Sequence, residues 1–407
     1  METFSSFITE EKNVHLTHIE DSVIYGGVNG AREAINALRA LRDMLAGHHN
    51  GGGRLTIKFD GAPAVFAGID PTDGKFFVAK KGIFNKNPKV YKTESEVDDD
   101  TSGDLADKLK LALRYLPEIG IKGVIQGDFL FSNGDLSTRK IDGMNYLTFH
   151  PNTLIYALPA DSQVAKVIKQ AKIGIVWHTS YSGRSFETMK ASYGVDIKKL
   201  KSSRNVWSIG ANLPDMTNAT MTAKETDEVT SYLSTAGKLF NQISGSTLRQ
   251  LESDPILNRH IETFNNSFVR AGTIVTDTRK HVSDLIRWIE NRYKKEIEAR
   301  KSEKGKASQQ QKLDSLLDFF SADNRKSLEN LFELQKVLVL AKLRLIAALE
   351  KLKEIDTFVK TPNGYKVTGH EGYVAIDRLG KNAVKVVDRM EFSYNNFSPD
   401  VLKGWSK

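Results

Sequence analysis

Lys58 lies in a short stretch whose residue types are suited to nucleophilic chemistry. Between Leu55 and Phe59 apolar and polar residues alternate, which predicts a strand with Lys58 on its polar face. Asp60 and Gly61 then predict a turn. A lysine held rigidly at a strand end becomes a nucleophile when cationic neighbours or desolvation free its lone pair. The other interpretation of so short a motif is a surface lysine beside a turn.

Five further stretches lie on predicted strands or at their ends, four with polar groups and one that is apolar and aromatic. In chain order they are Lys80-Lys81-Gly82, Gln126-Gly127-Asp128, Ile173–Trp177, Glu371-Gly372 and Lys385 between valines. Each stretch alone is a weak signal, because lysines at turns are usually solvated and a tryptophan in a strand usually belongs to a core. An aspartate at a strand end can also cap a turn. The information therefore lies in the order of the stretches.

Taken in order, these motifs resemble those of the covalent nucleotidyltransferase superfamily, which comprises ATP-dependent DNA ligases, RNA ligases and mRNA-capping guanylyltransferases. That superfamily has a K-x-D-G motif, a basic strand-turn, an acidic strand, an apolar-aromatic strand, an E-G motif and a lysine-bearing strand. The resemblance covers residues 54–181 and 361–390. The runs from Lys58 to Phe84 and from Ile173 to Tyr181 are also similar to an uncharacterised phage-encoded branch of the superfamily.

The resemblance implies a fold and a reaction. The fold is α+β, with an antiparallel-sheet nucleotidyltransferase core (ATP-grasp-like ligase). In the reaction, Lys58 attacks the α-phosphorus of ATP, forms a lysine–AMP phosphoramidate and expels pyrophosphate. Lys385, Lys81 and a metal ion close by would disfavour the positive charge on Lys58. Lys385, the second catalytic residue, would also offset charge on the α-phosphate in the transition state.

The same resemblance assigns the cofactors and the residues that bind them. The cofactors are ATP and Mg²⁺, and Asp128 and Glu371 supply carboxylate oxygens to the metal, which takes one or two protein ligands and keeps most of its waters. Trp177 would stack on adenine, with Tyr156 and Phe149 behind it. The residues assigned to cofactor binding are Ile57, Asp60, Gly61, Lys81, Asp128, Trp177 and Glu371.

Departures from the family pattern favour RNA ligases over DNA ligases and capping enzymes. Pro63 occupies the position, two residues after K-x-D-G, at which those enzymes usually carry an arginine. Fewer than twenty residues follow Asp388 in this sequence, so we do not expect the OB-fold that those enzymes carry downstream. The strand of Lys385 has one lysine where many relatives have two, and Lys381 could substitute for the second.

The composition favours a nucleic-acid partner and gives no sign of a membrane partner. The formal net charge of +8 favours a polyanion such as nucleic acid or nucleotide, although many basic proteins bind neither. No apolar run approaches the ~20 residues of a membrane span, and Met1–Lys12 lacks a signal pattern. The absence of cysteine excludes disulfides and thiolate metal sites. We therefore expect a cytoplasmic protein, in the host cytoplasm if it is phage-encoded.

Changes in periodicity divide the chain into four parts. Residues 1–53 hold a helix that packs on the core, residues 54–221 and 356–407 hold the short strands of one antiparallel core, and residues 222–355 form an all-α insertion. The last strands are expected to rejoin the first sheet, because an isolated hairpin is marginally stable. Within these parts we predict a polar loop at 307–312 and a solvated acidic loop at 98–100.

The leading functional hypothesis is an ATP-dependent RNA ligase that joins 5′-phosphate to 3′-hydroxyl ends through a lysine–AMP intermediate. Basic residues between Arg287 and Lys306 would hold the phosphate backbone of the RNA, unless they form only a solvated helix face. Two alternatives stay open. The nucleotide could pass to another acceptor, namely a DNA nick, an RNA cap or a protein, or the chain could be a catalytically inactive nucleic-acid-binding module.

Overall fold

The computed structural model describes residues 17–48, 54–213, 220–376 and 383–404. Within these ranges the chain is a mixed α and β protein whose sheets are mainly antiparallel. The predictions that concern Met1–Lys12 and Lys381 lie outside the described residues.

The first half of the chain begins with two helices and continues with short strands. Its helices are α1 (Ser22–Tyr25), α2 (Gly27–Leu45), α3 (Glu94–Asp100), α4 (Gly103–Tyr115) and α5 (Gln163–Gln170). Its strands are β1 (Arg54–Lys58), β2 (Ala64–Ile69), β3 (Phe76–Ala79), β4 (Val124–Ser132), β5 (Ser137–Ile141), β6 (Met144–Phe149), β7 (Ile155–Pro159), β8 (Ile173–Ser182), β9 (Lys190–Tyr193) and β10 (Val206–Gly210). Branched and aromatic residues dominate the long strands β4 and β8, as is usual for strands buried in a sheet.

The second half is helical and then returns to strands. Its helices are α6 (Ala223–Asn241), α7 (Gly245–Ser253), α8 (Pro255–Arg270), α9 (Thr278–Glu298), α10 (Glu303–Asp318), α11 (Ala322–Leu349) and α12 (Arg389–Phe397). Its strands are β11 (Asp356–Thr361), β12 (Gly364–Val367), β13 (Gly372–Ile376) and β14 (Ala383–Val386). Side-chain caps fix several helix starts, because Thr222, Asp254 and Asp277 accept hydrogen bonds from the first-turn amides of α6, α8 and α9.

The largest sheet has the strand order β10-β8-β4-β2-β3, with β9 beside β8. Its pairs are antiparallel except for β8 and β10, which run parallel. After β8 the chain reverses into β9 and reverses again before β10, so β10 enters the sheet in the direction of β8. The predicted antiparallel sheets are therefore present, and the pair of β8 and β10 is the one parallel exception among the described strand pairs.

Strands from the end of the chain pair with strands from its beginning. β13 lies between β1 and β14 in a three-stranded antiparallel sheet, called the small sheet below. A further sheet has the order β12-β11-β7-β6-β5. The N–H of Ile57 donates to the carbonyl of Ala211 at 2.7 Å, and the N–H of Leu213 donates to the carbonyl of Leu55 at 3.0 Å. The small sheet is thus connected along β1 to the chain that leaves β10.

Helices from both halves of the chain share one hydrophobic core. Leu38 of α2, Leu233 of α6, Leu285 of α9 and Leu338 of α11 are almost fully buried in it. Tyr373 of β13 belongs to the same core, so the helices pack against the small sheet. The N-terminal helices therefore pack on the helical segment as well as on the strands. No described helix has both the length and the apolar content required to cross a lipid bilayer.

Two segments predicted as loops are helical. Residues 307–312 lie inside α10, where Gln309 is buried, and glutamine is a good helix former. Residues 98–100 end α3, and Asp100 accepts a hydrogen bond from the hydroxyl of Tyr91 at 2.5 Å. Both predictions are wrong, because polar residues also form helices where packing and side-chain partners hold them.

Candidate active site

Lys58 and Lys385 lie on the same face of the small sheet. Lys58 ends β1 and is paired with Gly372 of β13, while Val374 of β13 is paired with both Thr56 of β1 and Lys385 of β14. Opposed residues of an antiparallel pair point to the same face, as do residues two apart on one strand. The register therefore places both lysine side chains on one face, although they come from the two ends of the chain.

Gly372 occupies the position opposite Lys58. Its φ of +150° lies in a region that L side chains rarely adopt. A Cβ at this position would lie 2.4 Å from Cγ2 of Val387. Backbone conformation and packing therefore both require glycine next to Lys58.

Glu371 forms the direct contact with Lys58. Its Oε2 makes an ion pair with Nζ of Lys58, and its side chain is only 11 % exposed. Burial raises the pKa of Glu371 to about 7. The positive charge of Lys58 lowers this pKa, whereas the carboxylates of Asp60 and Asp128 raise it further. Asp60 and Asp128 are therefore close enough to Glu371 to influence its ionisation.

Lys385 shares this electrostatic environment. Burial lowers the pKa of Lys385, as does the positive charge of Lys58, whereas Glu371 acts in the opposite direction. Lys385 forms no ion pair with any residue that the structure describes. Its N–H donates to the carbonyl of Thr17 at 3.1 Å, and its carbonyl accepts from the N–H of Ile19 at 3.2 Å. The segment before α1 thus fixes the outer edge of β14.

Asp60 fixes the turn that follows Lys58. Its buried carboxylate accepts hydrogen bonds from Nδ2 of Asn152 at 2.6 Å and from the N–H groups of Thr153 and Leu154 at 2.6 and 2.8 Å. Both oxygens are therefore occupied within the protein. Asp60 thus positions the turn that follows Lys58, and its participation in cofactor binding stays a prediction.

Gly61 brings the same turn against β4. A Cβ at this position would lie 2.6 Å from Cβ of Asp128 and 2.8 Å from the carbonyl oxygen of Phe129. The N–H of Ala62 donates to that carbonyl at 2.9 Å. The turn after Lys58 is consequently packed beside Asp128, the predicted metal ligand of β4.

Asp128 has a histidine neighbour that sequence reasoning missed. Its Oδ2 lies 3.5 Å from Nε2 of His178, and Nδ1 of His178 lies 2.8 Å from Oγ1 of Thr179. The register of β4 against β8 shifts at this point, because Gln126 is paired with Thr179 and Gly127 with Trp177, which leaves His178 between them without a partner on β4. Alternation along β8 was the available signal, because it places His178 and Trp177 on opposite faces.

Trp177 does not belong to this group. Its side chain is fully buried in a core cluster with Leu109 of α4, and its Nε1 donates to Oγ of Ser208 at 2.6 Å. Tyr156 and Phe149, its predicted companions, are also buried and stack on each other. The prediction that Trp177 stacks on adenine is therefore wrong, because a fully buried ring offers no face to a base.

Ile57 and Lys81, also predicted to bind the cofactor, have different surroundings. Ile57 is half-buried, and its side chain points to the face of β1 opposite that of Lys58. Lys81 is exposed at the start of a 3₁₀-helix, Lys81–Phe84, and has no ion-pair partner within the described ranges. The participation of both residues in nucleotide binding stays a prediction.

Comparison with known proteins gives a family and no activity. The family model DUF6267, described as a family of unknown function, matches residues 13–400. The chain belongs to the DUF6267 family. No curated protein and no solved structure matches it. All residues of the candidate site lie inside the matched range.

In this DUF6267 chain Asp128 and Glu371 are the two candidate carboxylates for a divalent cation, and Glu371 would have to exchange its contact with Lys58 for the metal. No group of three His, Cys, Asp or Glu side chains among the described residues could hold a metal ion. Mg²⁺ needs only one or two carboxylates when waters and phosphate oxygens complete its shell, so Asp128 and Glu371 form a sufficient set. The carboxylates that raise the pKa of Glu371 also create the negative field that a cation would offset. The donor set therefore fits Mg²⁺.

The site of this DUF6267 member combines an accessible amine with a second cation and several carboxylates. The side chain of Lys58 is one-third exposed, so a substrate can reach Nζ. Lys385 supplies positive charge from a half-buried position. Such a group is suited to attack on a phosphorus atom whose oxygens carry negative charge.

Proposed function

We propose that the chain is a covalent nucleotidyltransferase that transfers AMP from ATP to Lys58, and that it acts as an RNA ligase. The observation that carries the proposal is the contact between Lys58 and Glu371 on the sheet face that also bears Lys385. These three residues meet because β13 returns to pair with β1 after the helical segment. The proposed fold is accordingly the antiparallel core of the superfamily that the motifs resemble, with the helical segment inserted into it.

In the proposed first step, Nζ of Lys58 attacks the α-phosphorus of ATP. Lys58 first leaves Glu371 and loses a proton to solvent, which its partial exposure permits. A nitrogen–phosphorus bond forms while the bond from the α-phosphorus to the pyrophosphate oxygen breaks, and pyrophosphate leaves with that electron pair. The nitrogen then loses a second proton to solvent. The ammonium of Lys385 offsets negative charge on the α-phosphate in the transition state.

Other residues of the chain position the reactants. Asp128 and Glu371 would hold Mg²⁺, which supplies positive charge to the triphosphate. Asp60 holds the end of β1 through its bonds to the turn at 152–154. Nε2 of His178 lies 3.5 Å from Oδ2 of Asp128, within ion-pair distance of this carboxylate. The arrangement suits phosphoryl transfer, which depends mainly on positioning and electrostatic stabilisation.

The proposed acceptor is the 5′-phosphate end of an RNA. AMP would pass from Lys58 to that phosphate, and a 3′-hydroxyl would then displace AMP and form a phosphodiester bond. The end of α9 and the following turn would hold the RNA backbone, because Lys294, Lys295, Arg300 and Lys301 are exposed there and lack ion-pair partners in the described part of the chain. Binding through such a surface weakens steeply with salt. We propose the cytoplasm as the compartment.

Labelling with ATP tests the covalent step. The protein is incubated with ATP labelled at the α-phosphate and with Mg²⁺, and is then separated by denaturing electrophoresis. We expect label on the wild type and none on Lys58→Arg, which keeps the charge beside Glu371 but has no nucleophilic amine. Lys140→Ala, which changes an exposed residue of β5, is the matched control and should keep the label. Equal labelling of Lys58→Arg and the wild type would refute the proposal.

Incubation of the labelled protein with different acceptors tests whether RNA is the acceptor of AMP. We expect 5′-phosphorylated RNA with a free 3′-hydroxyl to remove the label from the protein and to become joined. Nicked DNA and RNA with a diphosphate end are offered in parallel, together with labelled GTP in place of ATP. Joining of nicked DNA alone would identify the protein as a DNA ligase, and transfer of GMP to a diphosphate end would identify it as a capping enzyme. Either result would refute RNA ligation. An unlabelled wild type would favour the inactive binding module.

A further inference from the structure

A cleft of about 340 Å³ lies between α2 and α6, outside the candidate active site. Arg32 and Arg39 line it from α2, and Lys238 lines it from α6. The side-chain amides of Asn36 and Asn241 add hydrogen-bond donors. None of the described residues that line the cleft is acidic. Its lining is therefore suited to an anion.

The three cations of the cleft have no carboxylate partners. Within the described ranges Arg32, Arg39 and Lys238 form no ion pair, whereas Arg42, farther along α2, is paired with Asp43 at 2.6 Å. Like charges that are grouped without counter-charges repel one another, and a bound anion relieves that repulsion. The cleft thus differs from the ordinary ion-paired surface of the same helix.

The spacing of the cations fits a strand of nucleic acid. Arg32 and Arg39 are seven residues apart on α2, which corresponds to about 10 Å along the helix. Phosphates of a stacked strand follow one another at about 3.4 Å along its axis, so the two arginines span about three nucleotides. The guanidinium of Arg32 lies 5.9 Å from the ring centroid of Phe240, a contact that orients it. A compact inorganic phosphate would engage only one end of this row.

We infer that the cleft between α2 and α6 binds the phosphate backbone of a nucleic-acid strand. The inference rests on the proposed function for its class of ligand and deepens it by adding a second surface that contacts the substrate. The segment before α1 and α2 borders β14, where the N–H of Ile19 donates to the carbonyl of Lys385 at 3.2 Å. The same stretch of chain therefore contacts the strand of Lys385 and then continues into α2, which lines the cleft.

Fluorescence anisotropy of a labelled, 5′-phosphorylated RNA oligonucleotide with the full chain, measured over a series of salt concentrations, tests the inference. The cleft variant is Arg32→Gln/Arg39→Gln/Lys238→Gln. We expect it to bind about tenfold more weakly than the wild type, with a slope of log affinity against log salt shallower by about 2, since each lost contact removes about 0.7. Its thermal unfolding should be unchanged, because all three side chains are exposed.

The matched control removes the same charge elsewhere. Arg114→Gln/Lys199→Gln/Lys326→Gln changes three exposed cations that are each ion-paired with an acidic neighbour, and it should bind RNA nearly as the wild type does. Equal weakening of both triple variants, or unchanged binding by the cleft variant, would overturn the inference. So would a cleft that binds inorganic tripolyphosphate and no RNA.

The outcome is separable from that of the proposed function. ATP labelling of the wild type needs no RNA, so a wild type that takes label and binds RNA, together with a cleft variant that binds RNA equally well, overturns the cleft assignment alone. A wild type that binds RNA through the cleft and takes no label keeps the cleft assignment and refutes the covalent chemistry.

Discussion

At the scale of single residues, Gly372 decides whether β13 can lie beside Lys58. We expect Gly372→Ala to lower the free energy of unfolding by about 2 kcal/mol or more, because its φ of +150° strains an L residue and the new Cβ would overlap Cγ2 of Val387. Urea denaturation measures the change. Gly134→Ala is the matched control, since Gly134 has open space around it and ordinary φ, and it should change that free energy by less than about 1 kcal/mol. Equal stability of the two variants would contradict this role.

Asp60 should contribute to stability as a hydrogen-bond acceptor more than as a charge. Asp60→Ala leaves the buried N–H groups of Thr153 and Leu154 without an acceptor, and we expect a loss of about 2–4 kcal/mol in the free energy of unfolding. Asp60→Asn should retain most of that stability. Its amide oxygen can accept both bonds, and Asn152, whose Oδ1 is buried without a partner among the described residues, can turn to accept from the new amide. Equal losses in the two variants, measured by urea denaturation, would assign the effect to the charge.

The residues that could be predicted differ physically from those that could not. Lys58, Glu371 and Lys385 stand in motifs on or beside short strands, and the resemblance of those motifs to the nucleotidyltransferase superfamily predicts that Lys385 lies close to Lys58. The prediction for Trp177 is wrong because alternation defines the two faces of β8 without telling which one borders the site. Asn152 carries no signal at all, because it acts on a residue 92 positions away through a turn without a motif.

At the scale of elements, strands with apolar patterns were predictable and exposed strands were not. β13 has the sequence Gly-Tyr-Val-Ala-Ile, and four of its five residues are buried. β5, with the sequence Ser-Thr-Arg-Lys-Ile, is exposed at three successive residues and has no alternation of apolar residues. β5 is held by main-chain hydrogen bonds to β6, and this pairing cannot be predicted from the residue types of β5 alone.

His281 of α9 makes the helical segment sensitive to acid. Its ring packs against Phe264, Phe268 and Phe332, and its Nε2 lies 2.8 Å from Oδ1 of Asn265. Burial lowers the pKa of His281 from 6.5 to about 4. Between these values the unfolded chain binds a proton that the folded chain does not bind, so stability falls as the pH falls.

We expect His281 alone to lower the free energy of unfolding by about 2 kcal/mol between pH 7 and pH 5. His281→Gln cannot take up the proton and can keep the contact with Asn265, so its stability should depend less on pH. Burial lowers the pKa of His18 to about 3 and that of His370 to about 4, and both act in the same direction and leave a residual dependence. Urea denaturation at the two pH values measures the difference, and an identical dependence in variant and wild type would rule out His281 as the cause.

At the scale of the whole molecule, a buried ionic network connects the start of the described chain, the helical segment and the last helix. Oε1 of Glu20 lies 2.7 Å from Nζ of Lys342 on α11, and both side chains are almost fully buried. Oδ2 of Asp21 lies 2.9 Å from Nη1 of Arg389 on α12, and Arg389 also donates to Asn266 of α8. Removal of one member leaves its partner charged in a medium that solvates it poorly.

Substitution within this network tests how the segments are held together. We expect Lys342→Met to lower the free energy of unfolding by about 3 kcal/mol or more, because it leaves the buried carboxylate of Glu20 without its nearest partner. The double variant Glu20→Gln/Lys342→Met should recover part of that loss, since no unpaired buried charge remains there. Urea denaturation compares the three proteins. A double variant less stable than Lys342→Met would mean that attraction within the pair outweighs the desolvation of its members.

The pairing of the last strands with earlier strands could be predicted from the sequence. The surface against which the helical segment packs could not. Strands between 364 and 386 are too short to stand alone, so they had to pair with the earlier strands. Lys342 and Gln335 of α11 resemble surface positions in the sequence, yet both are buried, and Nε2 of Gln335 donates to the carbonyl of Glu20 at 3.0 Å. Partners more than three hundred residues away make these polar positions internal.

Mass spectrometry of the protein after incubation with ATP and Mg²⁺ tests the covalent capture of AMP most directly. We predict a single AMP adduct, located on the peptide that contains Lys58, and no adduct on Lys58→Arg. An AMP adduct on another residue, or a Lys58 peptide that stays unmodified while the folded protein is saturated with ATP, would contradict the proposal.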